Sequence, residues 1–152
     1  MRALLQRCRE ARVCVAGQAV GEIGAGLMVL LGIQREDGPA EAIWLARKVA
    51  GLRVFDDEAG VMNVSAVDAG VGALVVSQFT LYADMRKGRR PSYIRAAAPP
   101  QAEPLVRQFA ECLRREGLEP VAEGQFGAEM LVEIHNEGPA TFWLDTAELI
   151  RR

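Results

Sequence analysis

Between Ala11 and Ile23 the apolar Val13 and Val15 alternate with Arg12 and Cys14. That is the period-two pattern of a half-buried strand, and the Ala16-Gly17-Gln18 stretch after it predicts the turn of a hairpin. The run Leu27 to Ile33 is apolar throughout, as in a strand buried on both faces near the middle of a sheet. Gly38-Pro39 predicts the start of a helix that carries Ile43, Trp44, Ala46, Val49 and Ala50 and closes at Gly51, with the proline in the first turn where a missing N–H costs nothing. Two short strands around an acidic turn are predicted for Arg53 to Ser65, and a strong apolar strand for ALVVSQFTLYAD (73–84), turning polar at Ser77, Gln78 and Thr80. From Pro99 to Gly117, Ala102, Leu105, Val106, Phe109, Ala110 and Leu113 share one helical face, with Arg114 and Arg115 complementing the dipole at its end. The chain finishes as a strand MLVEIH (130–135), an interruption NEGPA (136–140) and a strand TFWL (141–144).

Strands dominate, several are joined by turns too short for parallel crossovers, and two helices of substance appear. The expected fold is therefore α+β: a curved, mostly antiparallel sheet or barrel with two main helices packed outside, in a single domain spanning 1–152.

Half of the 152 residues are apolar and a quarter charged, which suits one compact domain with a substantial core. The longest apolar run is too short to span a bilayer and the first ten residues lack the apolar stretch of a signal peptide, so a cytoplasmic protein is expected. Cys8, Cys14 and Cys112 are odd in number and have no C-x-x-C spacing, which suggests reduced thiols rather than a disulfide framework or zinc site. The net charge of -2 argues against coating nucleic acid through overall charge. A local basic loop nevertheless gathers Arg86, Lys87, Arg89, Arg90 and Arg95, as either a solvated loop or a phosphate-binding patch.

The chain has one histidine, His135, on an alternating strand with no cysteine nearby in sequence, a setting more often structural than catalytic. Asp56, Asp57 and Glu58 lack the alternate spacing of a calcium loop. No G-x-S-x-G elbow or phosphate loop is present, and the glycines of GEIGAG lie between two strands. No metal and no cofactor is expected. Two polar interruptions of apolar strands remain, Ser77 to Thr80 and Asn136 to Thr141. On pattern alone each is a strand that becomes amphipathic at its edge, or a strand end exposing hydroxyl and backbone groups; a Gly-Pro pair between strands is ordinarily a turn.

These two stretches, SQFTLYAD and NEGPATFW, resemble the signature motifs of the D-aminoacyl-tRNA deacylase family, also called D-tyrosyl-tRNA deacylases. The resemblance continues through ALLQR at the start, V-x-G-x-x-x-GEIGAGL-x-VLLG, Met62-Asn63, Arg90 to Ser92 and G-x-FGA-x-M at Gly124 to Met130. Ala140 departs from a common valine and Glu137 from a frequent aspartate.

The resemblance implies a cytosolic homodimer that hydrolyses the ester joining a D-amino acid, or glycine, to the 3′ adenosine of tRNA. It implies a cis Gly138-Pro139 bond whose backbone enters the partner's active site and excludes L-aminoacyl esters. Ser77, Gln78, Phe79 and Thr80 would form the catalytic stretch, with backbone N–H groups as an oxyanion hole. Thr80 is the obvious nucleophile candidate, but no general base stands near it in sequence. A water oriented by the neighbouring ribose 2′-hydroxyl is preferred. Arg7 would pack against the Gly-Pro loop, and Phe126 and Met130 would line the terminal adenosine and aminoacyl pocket, with core packing suiting each nearly as well. Arg86, Lys87, Arg89 and Arg90 become candidates for acceptor-stem phosphates. A non-enzymatic nucleic-acid-binding module on the same fold is the competing expectation. A further variant is a relaxed branch that clears L-amino acids through a trans Gly-Pro motif; the unaltered SQFT stretch favours the D-selective branch.

Overall fold

A computed structural model describes residues 1–150. The elements run β1 (Arg2–Val15), β2 (Gln18–Ile23), β3 (Gly26–Gly32), α1 (Pro39–Ala50), β4 (Arg53–Asp56), β5 (Met62–Ser65), β6 (Gly72–Ser77), a single 3₁₀ turn (Phe79–Tyr82), α2 (Pro99–Arg115), β7 (Val121–Glu123), β8 (Leu131–Asp145) and a short α3 (Thr146–Leu149).

The long β1 organises the sheet. Along one edge it pairs antiparallel first with β3 and then with β2, and along the other with β8 over nearly its whole length. The order β2-β1-β3-β6-β7 continues through two parallel pairings, β3 with β6 and β6 with β7, so the curved sheet is mixed with an antiparallel majority. It nearly closes on itself where β2 meets β7: a Cβ on Gly21 would lie 2.5 Å from the carbonyl oxygen of Glu123, so only glycine permits that approach. The predicted hairpin turn is Ala16-Gly17, both at positive φ (50° and 79°), the two-residue geometry whose twist matches that of strands.

The two main helices pack together over one face of the sheet. From α2, Phe109, Ala110 and Leu113 are fully buried against Leu45, Ala46 and Val49 of α1 and Leu5, Val29 and Val75 of the strands. The start of α1 is fixed by Pro39 and by the Glu41 carboxylate, which accepts the Gly38 N–H at 2.9 Å. A second, smaller cluster of Cys8, Val13, Ile23, Met28, Leu74 and Val76 fills the other face.

Four elements differ from expectation. Strand β1 begins at Arg2, nine residues before the predicted hairpin strand. Met1, Ala3 and Leu5 are buried while Arg2, Leu4 and Gln6 are only half so, and the buried Arg7 masks this alternation. Strand β6 ends at Ser77 rather than running to Asp84, because the chain turns into the 3₁₀ segment. The three-residue β7 has too few positions to show a period. Finally, NEGPA does not split the last strand: β8 runs through it as a bulge, the five-residue step from Asn136 to Thr141 lying opposite the two-residue step from Gln6 to Cys8.

Candidate active site

The parallel strands β3 and β6 and the chain leaving β7 all deliver residues to one cavity at their carboxyl ends, the usual place for a ligand in a parallel arrangement. The cavity holds about 380 Å³ and is mostly apolar. Leu31 and Ile33 come from β3 and its exit, Ser77, Gln78 and Phe79 from the end of β6, and Phe126 and Gly127 from the loop after β7. The remaining wall is Tyr93, Ala96, Ala97 and the first residues of α2. These last positions escaped the sequence reading. The available signal was the aromatic-then-small run SYIRAAAPP (92–100) between the basic loop and the helix.

Backbone conditions at the end of β6 follow from local hydrogen bonding. The Gln78 N–H is spent on the Leu31 carbonyl at 2.8 Å, and the Leu81 N–H on the Gln78 carbonyl at 3.3 Å. A 3₁₀ turn leaves its first N–H groups without intrahelical partners. Accordingly, the Phe79 and Thr80 N–H groups have no acceptor among the described residues. The turn lies tight on β3: a Cβ on Gly32 would come within 3.1 Å of both the Gln78 oxygen and the Leu81 side chain. From below, Arg2 donates to the Leu81 carbonyl at 2.8 Å and to Asp145 at 2.8 Å, with its guanidinium 4.4 Å from the Tyr82 ring centre. Burial and the nearby Asp37 and Asp145 carboxylates push the Tyr82 phenol well above its ordinary range.

The predicted catalytic residues separate in role. Ser77, Gln78 and Phe79 line the cavity. Phe79 is 56% exposed and meets Tyr93 edge-to-face, with ring centres 4.9 Å apart. Thr80 is exposed and accepts a hydrogen bond from the Gln78 side-chain amide; it does not line the cavity. Among the described residues no histidine or carboxylate lines the cavity either, while His135 stands exposed on β8, 3.0 Å from Glu10. Among the described residues, Thr80 thus gains no base from the fold.

Of the two predicted pocket residues, Phe126 lines the cavity and also packs on the main core. Met130 does not join it. It packs on the second cluster with its sulfur over Gly124, where a Cβ would sit 2.8 Å away, and it lines a different hollow beside Cys14 and Leu131.

The Gly138-Pro139 motif also stands apart from this cavity. Both residues are exposed, their peptide bond is cis, and Gly138 has φ +123°. The bulge is secured from beneath. The Asn136 amide donates to the Arg7 and Ala140 carbonyls at 2.9 and 3.0 Å. Arg7, only 6% exposed, donates to the carbonyls of Glu137 (3.3 Å) and Val54 (2.9 Å) and to Asp56 (3.2 Å). Its planar array of donors suits such a cluster of oxygens.

In the basic loop, Arg86 is committed to Asp84, donating from Nε to Oδ1 at 2.9 Å and from Nη2 to Oδ2 at 2.5 Å. These bonds hold the Asp84 carboxyl well below the usual range. Lys87, Arg89 and Arg90 are exposed and make no ion pair among the described residues. They, rather than Arg86, carry the loop's available charge.

A small mixed-sheet α+β domain with an apolar cavity at the ends of its parallel strands, unpaired N–H groups in the turn that follows β6, and an exposed, hydrogen-bonded Gly-Pro bulge defines the structural class. A sequence profile described as D-Tyr-tRNA(Tyr) deacylase matches residues 4–145. D-aminoacyl-tRNA deacylases of Thermomicrobium roseum and Symbiobacterium thermophilum are 60% and 56% identical, covering 98% and 96% of this chain and 96% of each relative. A solved structure named c-Myc DNA Unwinding Element Binding Protein superimposes with a TM-score of 0.89 at 41% identity, over 95% of this chain and 98% of that one. A second, named as a probable eukaryotic D-amino acid tRNA deacylase, shares the fold at 17% identity and a TM-score of 0.78, over 94% and 98%. The chain belongs to the D-Tyr-tRNA(Tyr) deacylase family.

Proposed function

We propose that this chain is a chiral editor, hydrolysing the ester of D-aminoacyl-tRNA, and of mischarged glycyl-tRNA, to free amino acid and tRNA. Deacylase activity rests on membership of the family and on relatives at 56–60% identity bearing that name. The mechanism rests on one observation above all: the cavity and the Gly-Pro bulge occupy separate places on the protomer. An exposed, internally braced motif with no role in its own cavity suits insertion into the cavity of a second copy.

In that arrangement the 3′ adenosine and aminoacyl group lie in the apolar cavity, with Phe126 available to stack on a base. The partner's Gly-Pro backbone oxygens accept from the substrate ammonium. With ammonium and ester fixed, the remaining two directions at the α-carbon differ, and rigid backbone fills the one an L side chain requires. Glycine passes, since hydrogen fits where a side chain is refused. Because backbone does the selecting, the identity of the D side chain matters little.

The Phe79 N–H, with the neighbouring Thr80 N–H, would donate to the ester oxyanion, a contribution that is often the largest in acyl transfer. The absence of a base in the cavity lining supports a water oriented by the ribose 2′-hydroxyl rather than attack by Thr80. Lys87, Arg89 and Arg90 would meet acceptor-stem phosphates and make binding salt-sensitive. The proposed setting is the cytoplasm.

Hybrid dimers test the shared site. One protomer carries Gly138→Val and the other Gln78→Ala. If sites are shared between copies, each hybrid retains one intact cavity facing one intact motif, so a purified hybrid has about half of the wild-type activity and an equal mixture, in which about half of the dimers are hybrids, about a quarter. If each protomer works alone, no site is intact and mixing restores nothing. The neighbour named for binding a DNA unwinding element favours a second reading, a nucleic-acid-binding module without hydrolysis. A purified dimer that binds tRNA yet leaves every aminoacyl ester intact would establish that reading instead.

A further inference from the structure

The hairpin of β4 and β5 forms its own two-stranded sheet, with no ladder bond to the main one, yet it supplies two of the oxygens that hold Arg7. The Val54 carbonyl and the Asp56 carboxylate both accept from Nη1, at 2.9 and 3.2 Å. On its other side the same guanidinium reaches the Glu137 carbonyl, and its Nη2 lies 3.2 Å from where a Cβ on Gly138 would sit. Arg7 is therefore a buried rod between the hairpin and the Gly-Pro bulge. Asp56 supplies the carboxylate bonded to it.

A buried guanidinium facing carbonyls alone is under-compensated. Without Asp56, Arg7 gains by moving toward water, and the Glu137 carbonyl loses its donor. The hairpin can keep the carboxylate in place because its turn is closed internally. The Asp57 carboxylate accepts from the Ala59 and Val61 N–H groups at 2.9 and 3.0 Å, and the Asp57 N–H donates to the Val61 carbonyl at 2.8 Å. The Val61 and Ala59 N–H groups also hold the Asp57 carboxyl below its usual range.

We infer that Asp56 is a positioning residue for stereochemical selection: through Arg7, the β4–β5 hairpin sets the placement of the Gly138-Pro139 backbone. This rests on the chiral-editing reading above. It assigns to the acidic turn, which the sequence shows only as a solvated loop, a role in how strictly L-aminoacyl esters are refused.

The test uses the full-length protein with Asp56→Ala, Asp56→Asn and Asp56→Glu, and two readouts. The first is solvent exchange of the Arg7 Nε–H by NMR. The second is the ratio of kcat/KM for D-tyrosyl-tRNA to that for L-tyrosyl-tRNA. Asp56 is half exposed, so a moderate effect is expected: exchange faster by about threefold to tenfold in Asp56→Ala and a selectivity ratio lowered by a similar factor. Asp56→Asn should fall between, keeping the size and an acceptor, and Asp56→Glu should lie nearest wild type. A wild-type-like selectivity ratio in folded Asp56→Ala overturns the inference, whatever the exchange does. Lost selectivity with unchanged Arg7 exchange overturns the route through Arg7. If the wild-type protein spares D-tyrosyl-tRNA altogether, the editing reading fails, and the exchange measurement alone decides whether Asp56 holds Arg7.

Discussion

Replacing Gly138 by alanine adds a single methyl group, and the structure specifies what that group meets. Gly138 sits at φ +123°, outside the region L residues adopt readily, and its Cβ would lie 2.9 Å from the Ala140 amide nitrogen, 3.2 Å from Arg7 Nη2 and 3.3 Å from the Ala140 Cβ. The nearest neighbour is backbone and cannot rotate away, and Arg7 is held by three oxygens. Forcing a non-glycine residue into such a conformation costs about 1–3 kcal/mol. The bulge is exposed and hangs between the two well-paired halves of β8, so the strain should displace the motif rather than unfold the domain. For a chain of this size that corresponds to a Tm lowered by about 2–12 °C. The same displacement should cut discrimination against L-tyrosyl-tRNA by about fivefold to a hundredfold, each 1.4 kcal/mol being a factor of ten. Parallel deacylation of D- and L-tyrosyl-tRNA, with thermal unfolding of the same preparations, measures both. A Gly138→Ala protein with wild-type Tm and undiminished preference for the D ester would mean that the backbone at Gly138 is neither constrained nor selective.

Other expectations follow from the site and the core. Thr80→Ala should keep substantial single-turnover activity while tRNA ending in 2′-deoxyadenosine becomes a poor substrate; near-total loss in a folded Thr80→Ala protein would make Thr80 the nucleophile. Glutamates in place of Arg89 and Arg90 should raise KM for charged tRNA, most strongly at low salt, and an unchanged KM there removes the loop from the interface. Asp37→Ala removes the carboxylate partner of a fully buried Met1 ammonium, 2.5 Å away, and leaves it only the Thr146 hydroxyl, a loss of about 3–5 kcal/mol that should lower Tm by about 6–20 °C; a shift under about 2 °C contradicts it. Burial raises the Cys8 thiol above its ordinary value. The folded state thus keeps a proton that the unfolded chain releases, and this contribution to stability is lost as pH climbs past about 8.5. Alkylation of the native protein should accordingly reach the half-buried Cys14 before Cys8.

What the sequence revealed and concealed follows from burial. The central β3 and the helix α2 were legible because their environments are uniform: one is buried on both faces, the other on a regular stripe. The start of β1 was hidden by Arg7, a charge where alternation demands an apolar residue, and Arg7 is buried because distant carbonyls from β4 and β8 surround it. No local pattern encodes such a partner set. The end of β6 was misplaced for a related reason. Ser77 to Tyr82 carry the composition of a strand, but the Leu31 carbonyl takes the Gln78 N–H and Gly32 allows the chain to turn in closely. Met130 was grouped with Phe126 by motif, four residues apart, and the chain between them turns through Gly127 at φ +75° and sends the two side chains to different hollows.

Stereochemical selection by this protein is decided by following the decay of D-tyrosyl-tRNA, L-tyrosyl-tRNA and glycyl-tRNA separately with the purified protein in the presence of a metal chelator. The D-tyrosyl and glycyl esters should be lost rapidly while the L ester persists at its spontaneous rate. Equal loss of the D and L esters, or survival of all three at high protein concentration, would contradict it.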